Sequence, residues 1–198
     1  MPTPRGVYLG GPEVFLPDAL AILAKKAAMC PEFGFVAKIP GDNHIKPRTA
    51  LNPKTLSREI YAANVATMKI CDFGLFDLTP FRGPSADVGT VFELGLMTGM
   101  GKPVFGYSNV PSDYIDRIGL KQQASSPEPP GSWRDEMGWS IENFGNADNL
   151  MIDGALAARG GEIIRGQANF PGRIGDLTAF RACLTQARDW FIHSAKAK

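Results

Sequence analysis

Residues 77–95 read Asp77-Leu-Thr-Pro-Phe-Arg-Gly-Pro-Ser-Ala-Asp-Val-Gly-Thr-Val-Phe-Glu-Leu-Gly95. The stretch begins at the end of an apolar strand pattern, Phe73–Leu78, and crosses a loop rich in Pro and Gly, Thr79–Ala86. It then enters a helical pattern that runs to Gly101. Strand, short loop and helix in that order are half of a βαβ unit. The other half follows at once, because Pro103–Tyr107 reads as a further strand. Upstream, Pro53–Ile70 carries the apolar spacing of an amphipathic helix.

The alternation extends to the N-terminus. Gly6–Gly11 reads as a strand ending in glycines, Asp18–Met29 as a helix and Phe33–Ile39 as a second strand, with a polar loop at Pro40–Pro47. Strands alternating with helices predict an α/β fold, flavodoxin-like or Rossmann-like, with a mostly parallel sheet and helices on both faces. In such folds ligands sit outside the carboxyl ends of the strands. Residues 121–149 form a long irregular excursion, and Leu150–Arg159 and Leu177–Ala195 read as closing helices. The expectation is one domain spanning residues 1–198.

Composition narrows the function. The chain has 198 residues, 44% apolar and 21% charged, with a net charge of +1. That composition supports a sizeable core, and with no basic stripe it argues against a nucleic-acid polymer as partner. No apolar run reaches the length of a membrane span, so no membrane partner is expected. Three scattered cysteines and two distant histidines, His44 and His193, offer neither a disulfide framework nor a metal-ligand cluster. The N-terminus lacks a signal peptide's pattern, and the chain reads as cytoplasmic.

Glu93 is the odd residue in its helix, a lone carboxylate among Val91, Phe92, Leu94, Leu96 and Met97. Those neighbours leave little of the circumference for water. Either Glu93 lies on a narrow solvated stripe or pairs with Lys69 or Lys102, or it is held in a crevice for chemistry. Asp87 reads as the N-cap of the same helix, which also sets it at the mouth of a strand-end crevice. Tyr8 precedes Gly10-Gly11-Pro12, and paired glycines permit close backbone approach to a ligand. Asn64 lies in a helix of small apolar residues, Asp77 ends the third strand and Arg82 is the cation nearest the expected crevice.

Tyr8-Leu-Gly-Gly-Pro, Ile60-Tyr-Ala-Ala-Asn64, the run from Asp77 to Gly95 and Asn149-Leu-Met151 together resemble the nucleoside 2-deoxyribosyltransferases. The resemblance runs in order over about Tyr8 to Met151. It implies a retaining transfer of 2-deoxyribose between nucleobases through a covalent glycosyl-enzyme, with deoxynucleosides and free bases as partners and no cofactor or metal. By motif position Glu93 is the nucleophile, Tyr8 orients it and Asp87 is the carboxylate that binds the nucleoside. The remaining binding positions are Gly10, His44, Asn64, Asp77, Phe81, Arg82, Gly83 and Met151. Asn149 is expected to serve the neighbouring subunit's site, which implies a homo-oligomer built on dimers, up to a tetramer or hexamer, with shared sites. Asn64 stands where some members have an aspartate that protonates the leaving base. An amide cannot act as that acid, so protonation is assigned to Asp87 or to water. His44 stands where some members carry a base-contacting glutamine.

Two other readings fit the same residues. One is an N-glycosidase acting on deoxynucleosides or their 5′-monophosphates, although Asp87 would repel a phosphate. The other is a non-catalytic nucleotide-binding module on the same scaffold.

Overall fold

A computed structural model describes residues 3–39, 52–118, 133–135, 137–167 and 174–196. Its main sheet has five strands: β1 (Arg5–Gly10), β2 (Phe35–Lys38), β3 (Phe73–Asp77), β4 (Val104–Ser108) and β7 (Ile164–Arg165). They lie in the order β2-β1-β3-β4-β7, and every pairing is parallel. That is the flavodoxin-like order, whose topological switch point falls between the first and third strands. Tyr8 stands opposite Gly74 and Gly10 opposite Phe76 across it. A separate two-stranded hairpin, β5 (Trp133–Arg134) with β6 (Ser140–Ile141), lies within the excursion.

Helices cover both faces. The helices α1 (Ala19–Met29), α2 (Pro53–Ile70), α3 (Val88–Gly99), α5 (Leu150–Arg159) and α6 (Thr178–Lys196) are joined by a one-turn helix, α4 (Tyr114–Arg117). Because successive strand residues point to opposite faces, the core divides in two. Val7, Leu9, Phe73, Leu75, Phe105 and Tyr107 meet Phe180, Cys183 and Leu184 of α6 on one side. Tyr8, Phe76 and Val104 meet Met68 of α2, Leu94 and Met97 of α3, and Leu156 of α5 on the other. Strands buried on both faces are the reason these segments read as nearly continuous apolar runs.

The helix ends follow local chemistry. Asn52 caps α2 by accepting from the Lys54 amide at 2.9 Å, with Pro53 at the first helical position. At the other end the Lys102 ammonium donates to the carbonyls of Met68 at 2.9 Å, Lys69 at 2.7 Å and Cys71. A cation on the last carbonyls of a helix satisfies groups with no partner inside it and complements the helix dipole. Lys102 is therefore spent on α2, and no ion pair to Glu93 forms from Lys102 or Lys69 among the described residues.

The structure departs from the sequence reading in detail. Cys30–Phe33 forms a 3-10 turn, so the second strand starts at Phe35 rather than Phe33. The strand β7, the hairpin and α4 were not expected. The helix α3 is less enclosed than its sequence suggests: Thr90, Leu94 and Met97 are buried, but Val88 is 84% and Phe92 54% exposed. No helix among the described residues is long and apolar enough to cross a membrane.

Candidate active site

The carboxyl ends of β1 and β3 and the start of α3 converge at the switch point. Asp87 caps α3, its Oδ2 accepting from the Thr90 amide at 3.0 Å and the Thr90 hydroxyl at 3.2 Å. That cap fixes where the helix begins and so sets Glu93 in the second turn, facing back toward β1. The Tyr8 hydroxyl donates to Glu93 Oε1 at 2.7 Å, and Asn64 Nδ2 of α2 donates to the same oxygen at 3.2 Å. Glu93 Oε2 rests over Gly10, where an added Cβ would lie 2.9 Å from it and 2.7 Å from the Phe76 ring. Gly10 is glycine because the Phe76 ring and the Glu93 carboxylate together occupy its side-chain space.

The electrostatics suit a poised carboxylate. Burial pushes the Glu93 carboxyl up to about 7. The bonds from Tyr8 and Asn64 pull it down, while the charges of Asp87 and Glu13 push it up. The Tyr8 phenol is raised well above its ordinary value, first by burial and then by the Glu93 charge, so it stays a donor. A half-buried carboxylate with one oxygen held by two donors and the other free can attack an electron-poor carbon in a fixed direction.

The loop after β3 builds one wall. The Phe81 amide donates to the Ser85 carbonyl at 3.0 Å, and Arg82 has φ of 58°, an uncommon left-handed conformation for a non-glycine residue. The Phe81 ring stacks on Phe15 with centroids 5.5 Å apart and planes 14° apart. The Arg82 guanidinium lies 5.0 Å from the Phe15 ring and 4.7 Å from the Phe81 ring. Gly83 is exposed beside them.

Other expected residues have different surroundings. Asp77 is fully buried, accepting from the Thr79 amide at 3.0 Å and the Tyr107 hydroxyl at 2.8 Å, with the Lys26 ammonium at 3.6 Å. It braces the loop from beneath rather than opening into the crevice. Asn149 caps α5, accepting from the Met151 amide at 3.0 Å and donating to Glu142 at 2.8 Å. Met151 is 72% exposed. His44 and its loop lie outside the described residues.

Several residues that the sequence did not single out hold the site together. Asp148 is buried and accepts from the Ser85 hydroxyl, the Ala86 amide at 2.9 Å and the Asn149 amide at 2.8 Å. Arg117 lies 3.8 Å from it and donates to the carbonyls of Pro84 at 2.7 Å, Ser112 at 2.6 Å and Ala147. One carboxylate therefore links the segment before the Asp87 cap to the Asn149 cap. Phe15 and Glu13, directly after the glycines, were legible as neighbours of a ligand loop. Lys26, in a run with Lys25, carried no signal. No group of His, Cys, Asp and Glu among the described residues could hold a metal ion.

By sheet order and crevice this is a doubly wound α/β protein whose candidate site is a supported carboxylate at the switch point. The model of the nucleoside 2-deoxyribosyltransferase family matches residues 7–151, and the chain belongs to that family. A 2-desoxiribosyltransferase from Leishmania mexicana aligns with a TM-score of 0.58 and 29% identity, over 75% of this chain and 85% of that one. A conserved protein of Enterococcus faecalis, 19% identical with a TM-score of 0.54, shares the fold over 92% of this chain and 98% of its own. An uncharacterized protein of Schizosaccharomyces pombe is 30% identical over 165 residues, 78% of each chain.

Proposed function

We propose that this chain transfers 2-deoxyribose between nucleobases by double displacement, with Glu93 as the nucleophile. The observation that carries the reading is the arrangement of Glu93 itself. Tyr8 and Asn64 both donate to Oε1, and Oε2 is left over Gly10. In the first half-reaction Oε2 bonds to C1′ while the bond from C1′ to the base nitrogen breaks and the base leaves with a proton. In the second a new base displaces Glu93 with retention overall. The transition state is oxocarbenium-like, so a negative carboxylate in a crevice of low polarity stabilises it before the bond forms.

Asn64 holds Glu93 and has no proton to give as an acid. Asp87 takes the acid/base role, because its cap uses Oδ2 alone and Oδ1 makes no hydrogen bond among the described residues. The stacked Phe15 and Phe81 rings, flanked by the Arg82 guanidinium, offer a wall for the base. Asn149 and Met151 contribute to a neighbouring copy's site in a homo-oligomer. That arrangement is supported by the exposed apolar side chains of Tyr61, Val88, Phe92, Leu150 and Met151.

Incubating the protein with a deoxynucleoside and a different free base yields the exchanged nucleoside, and Glu93→Ala abolishes that exchange. A 2-fluoro-2-deoxynucleoside leaves a glycosyl adduct on the peptide containing Glu93, detected by mass spectrometry. Binding without an adduct or turnover would sink this reading in favour of a nucleotide-binding module. Base release with no exchange would make the protein a glycosidase.

A further inference from the structure

The carboxylate of Glu13 lies on the opposite side of the glycine turn from Glu93. Consecutive residues at a strand end face opposite ways. Gly10 therefore turns its missing side chain toward Glu93, and Gly11 turns its own toward Glu13. An added Cβ on Gly11 would fall 2.1 Å from Glu13 Oε2 and 2.8 Å from Asp77 Cβ. Two adjacent glycines thus each have a carboxylate oxygen where a side chain would stand.

Glu13 belongs to a charge set with no visible need to exist. Glu13 and Lys26 are each 1% exposed, and Asp77 and Tyr107 are fully buried. The Lys26 ammonium lies 2.5 Å from Glu13 Oε1 and 3.6 Å from Asp77 Oδ2. Glu13 Oε2 has no hydrogen-bond partner among the described residues. Burial pushes the Glu13 carboxyl up while Lys26 pulls it down, and with both carboxylates ionised the single ammonium leaves the set net negative. Buried ion sets rarely outperform apolar packing in stability, and an unpaired buried oxygen adds a penalty. Violations of this kind concentrate where function requires them.

We propose that Glu13 is a positioning residue for Glu93: anchored by Lys26, it fixes the Gly10–Gly11 turn on which the nucleophile rests and sets a second carboxylate behind it. The proposal rests on the reading of Glu93 as nucleophile. Glu93 is faced by Tyr8 of β1, Asn64 of α2, Asp87 at the start of α3 and Glu13 behind the turn. Glu13 is faced by Lys26 of α1, Asp77 of β3 and Tyr107 of β4, with Cys183 of α6 beside Asp77. Negative charge behind the turn disfavours the Glu93 anion in the free enzyme and favours the cationic sugar in the transition state.

The test is the pH dependence of kcat/KM for base release in the wild type and in Glu13→Gln, which keeps the shape and removes the charge. The acid limb moves down by roughly half to one pH unit, the size expected of one charge at close range. The plateau above the limb falls severalfold. Glu13→Asp keeps the charge on a shorter side chain and leaves the limb in place while the rate falls, which covers the case of a Glu13→Gln chain that does not fold. A purely supporting role would lower rate and Tm in Glu13→Gln with the limb unmoved, and that result overturns the proposal. A 13C titration of the Glu93 carboxyl reads the same midpoint without turnover. A shifted midpoint in a protein with no Glu93-dependent turnover would defeat the functional reading and leave the charge coupling standing.

Discussion

The Tyr8 hydroxyl reaches Glu93 Oε1 at 2.7 Å across 85 positions of sequence, joining the end of the first strand to the second turn of α3. It stabilises the ionised form of Glu93 and aims it. Tyr8→Phe keeps the ring packed against Phe76 and removes only the donor. The expected result is a fall in kcat of about 10–100-fold, the usual scale for a lost orienting hydrogen bond to a reacting group. Because that bond lowers the Glu93 pKa, its loss moves the acid limb upward, opposite to the effect of Glu13→Gln. A pH–rate profile of the two variants measured side by side checks both signs.

Glu93 lowers stability as the pH rises. Its carboxyl titrates at about 7 in the fold, against 4.5 in the unfolded chain. Between those values the folded state binds the extra proton, so the penalty is absent below about pH 4.5 and complete above about pH 7. Its upper size is on the order of 3 kcal/mol. Glu93→Gln therefore melts above the wild type at pH 8, and the advantage shrinks toward pH 5. Thermal melts at the two pH values test this, and a gain independent of pH would count against it.

The cap that Asp87 forms and the acid/base role proposed for it are separated by two substitutions. Asp87→Asn preserves an N-cap acceptor for Thr90 and should unfold within a few tenths of a kcal/mol of the wild type, yet exchange activity collapses. Asp87→Ala loses the cap as well and costs about 1 kcal/mol more. Urea unfolding alongside base-exchange assays distinguishes a capping residue from one that also serves the substrate.

Asp148→Ala strips the Ser85 hydroxyl and the Ala86 and Asn149 amides of their acceptor, and it leaves Arg117 buried without its partner. Removing one member of a buried pair costs about 3–5 kcal/mol. Arg117→Met frees the carbonyls of Pro84, Ser112 and Ala147 as well, and because the two side chains share one buried network the double variant loses less than the sum of the single losses. A double-mutant cycle by urea denaturation measures the coupling.

Much of this molecule can be read from its sequence. The first, third and fourth strands are buried on both faces, so their apolar runs are unbroken, and the Asp87 cap declares itself as an acidic residue before a helical pattern. The two-residue strand Ile164–Arg165 escapes notice because two residues have no period. Tyr8 is legible as a partner of Glu93 only through the family motif, 85 positions away, whereas the bond from Asn64 to the same oxygen, across 29 positions, carries no local signal. Lys25 and Lys26 look identical in a helix, and only the rotation of α1 against the sheet leaves one in solvent and buries the other. Nothing in the composition of Thr79–Ala86 announces that Arg82 adopts a left-handed backbone beside two stacked rings.

The contact of Arg117 with the Ala147 carbonyl brings together the two points where the excursion leaves the domain and returns to it. Residues 117 and 147, thirty positions apart in sequence, are thereby held at one point. A change of length between those two points is then absorbed at the Arg117–Ala147 contact, away from Tyr8, Gly10 and Asn64, the residues packed about Glu93.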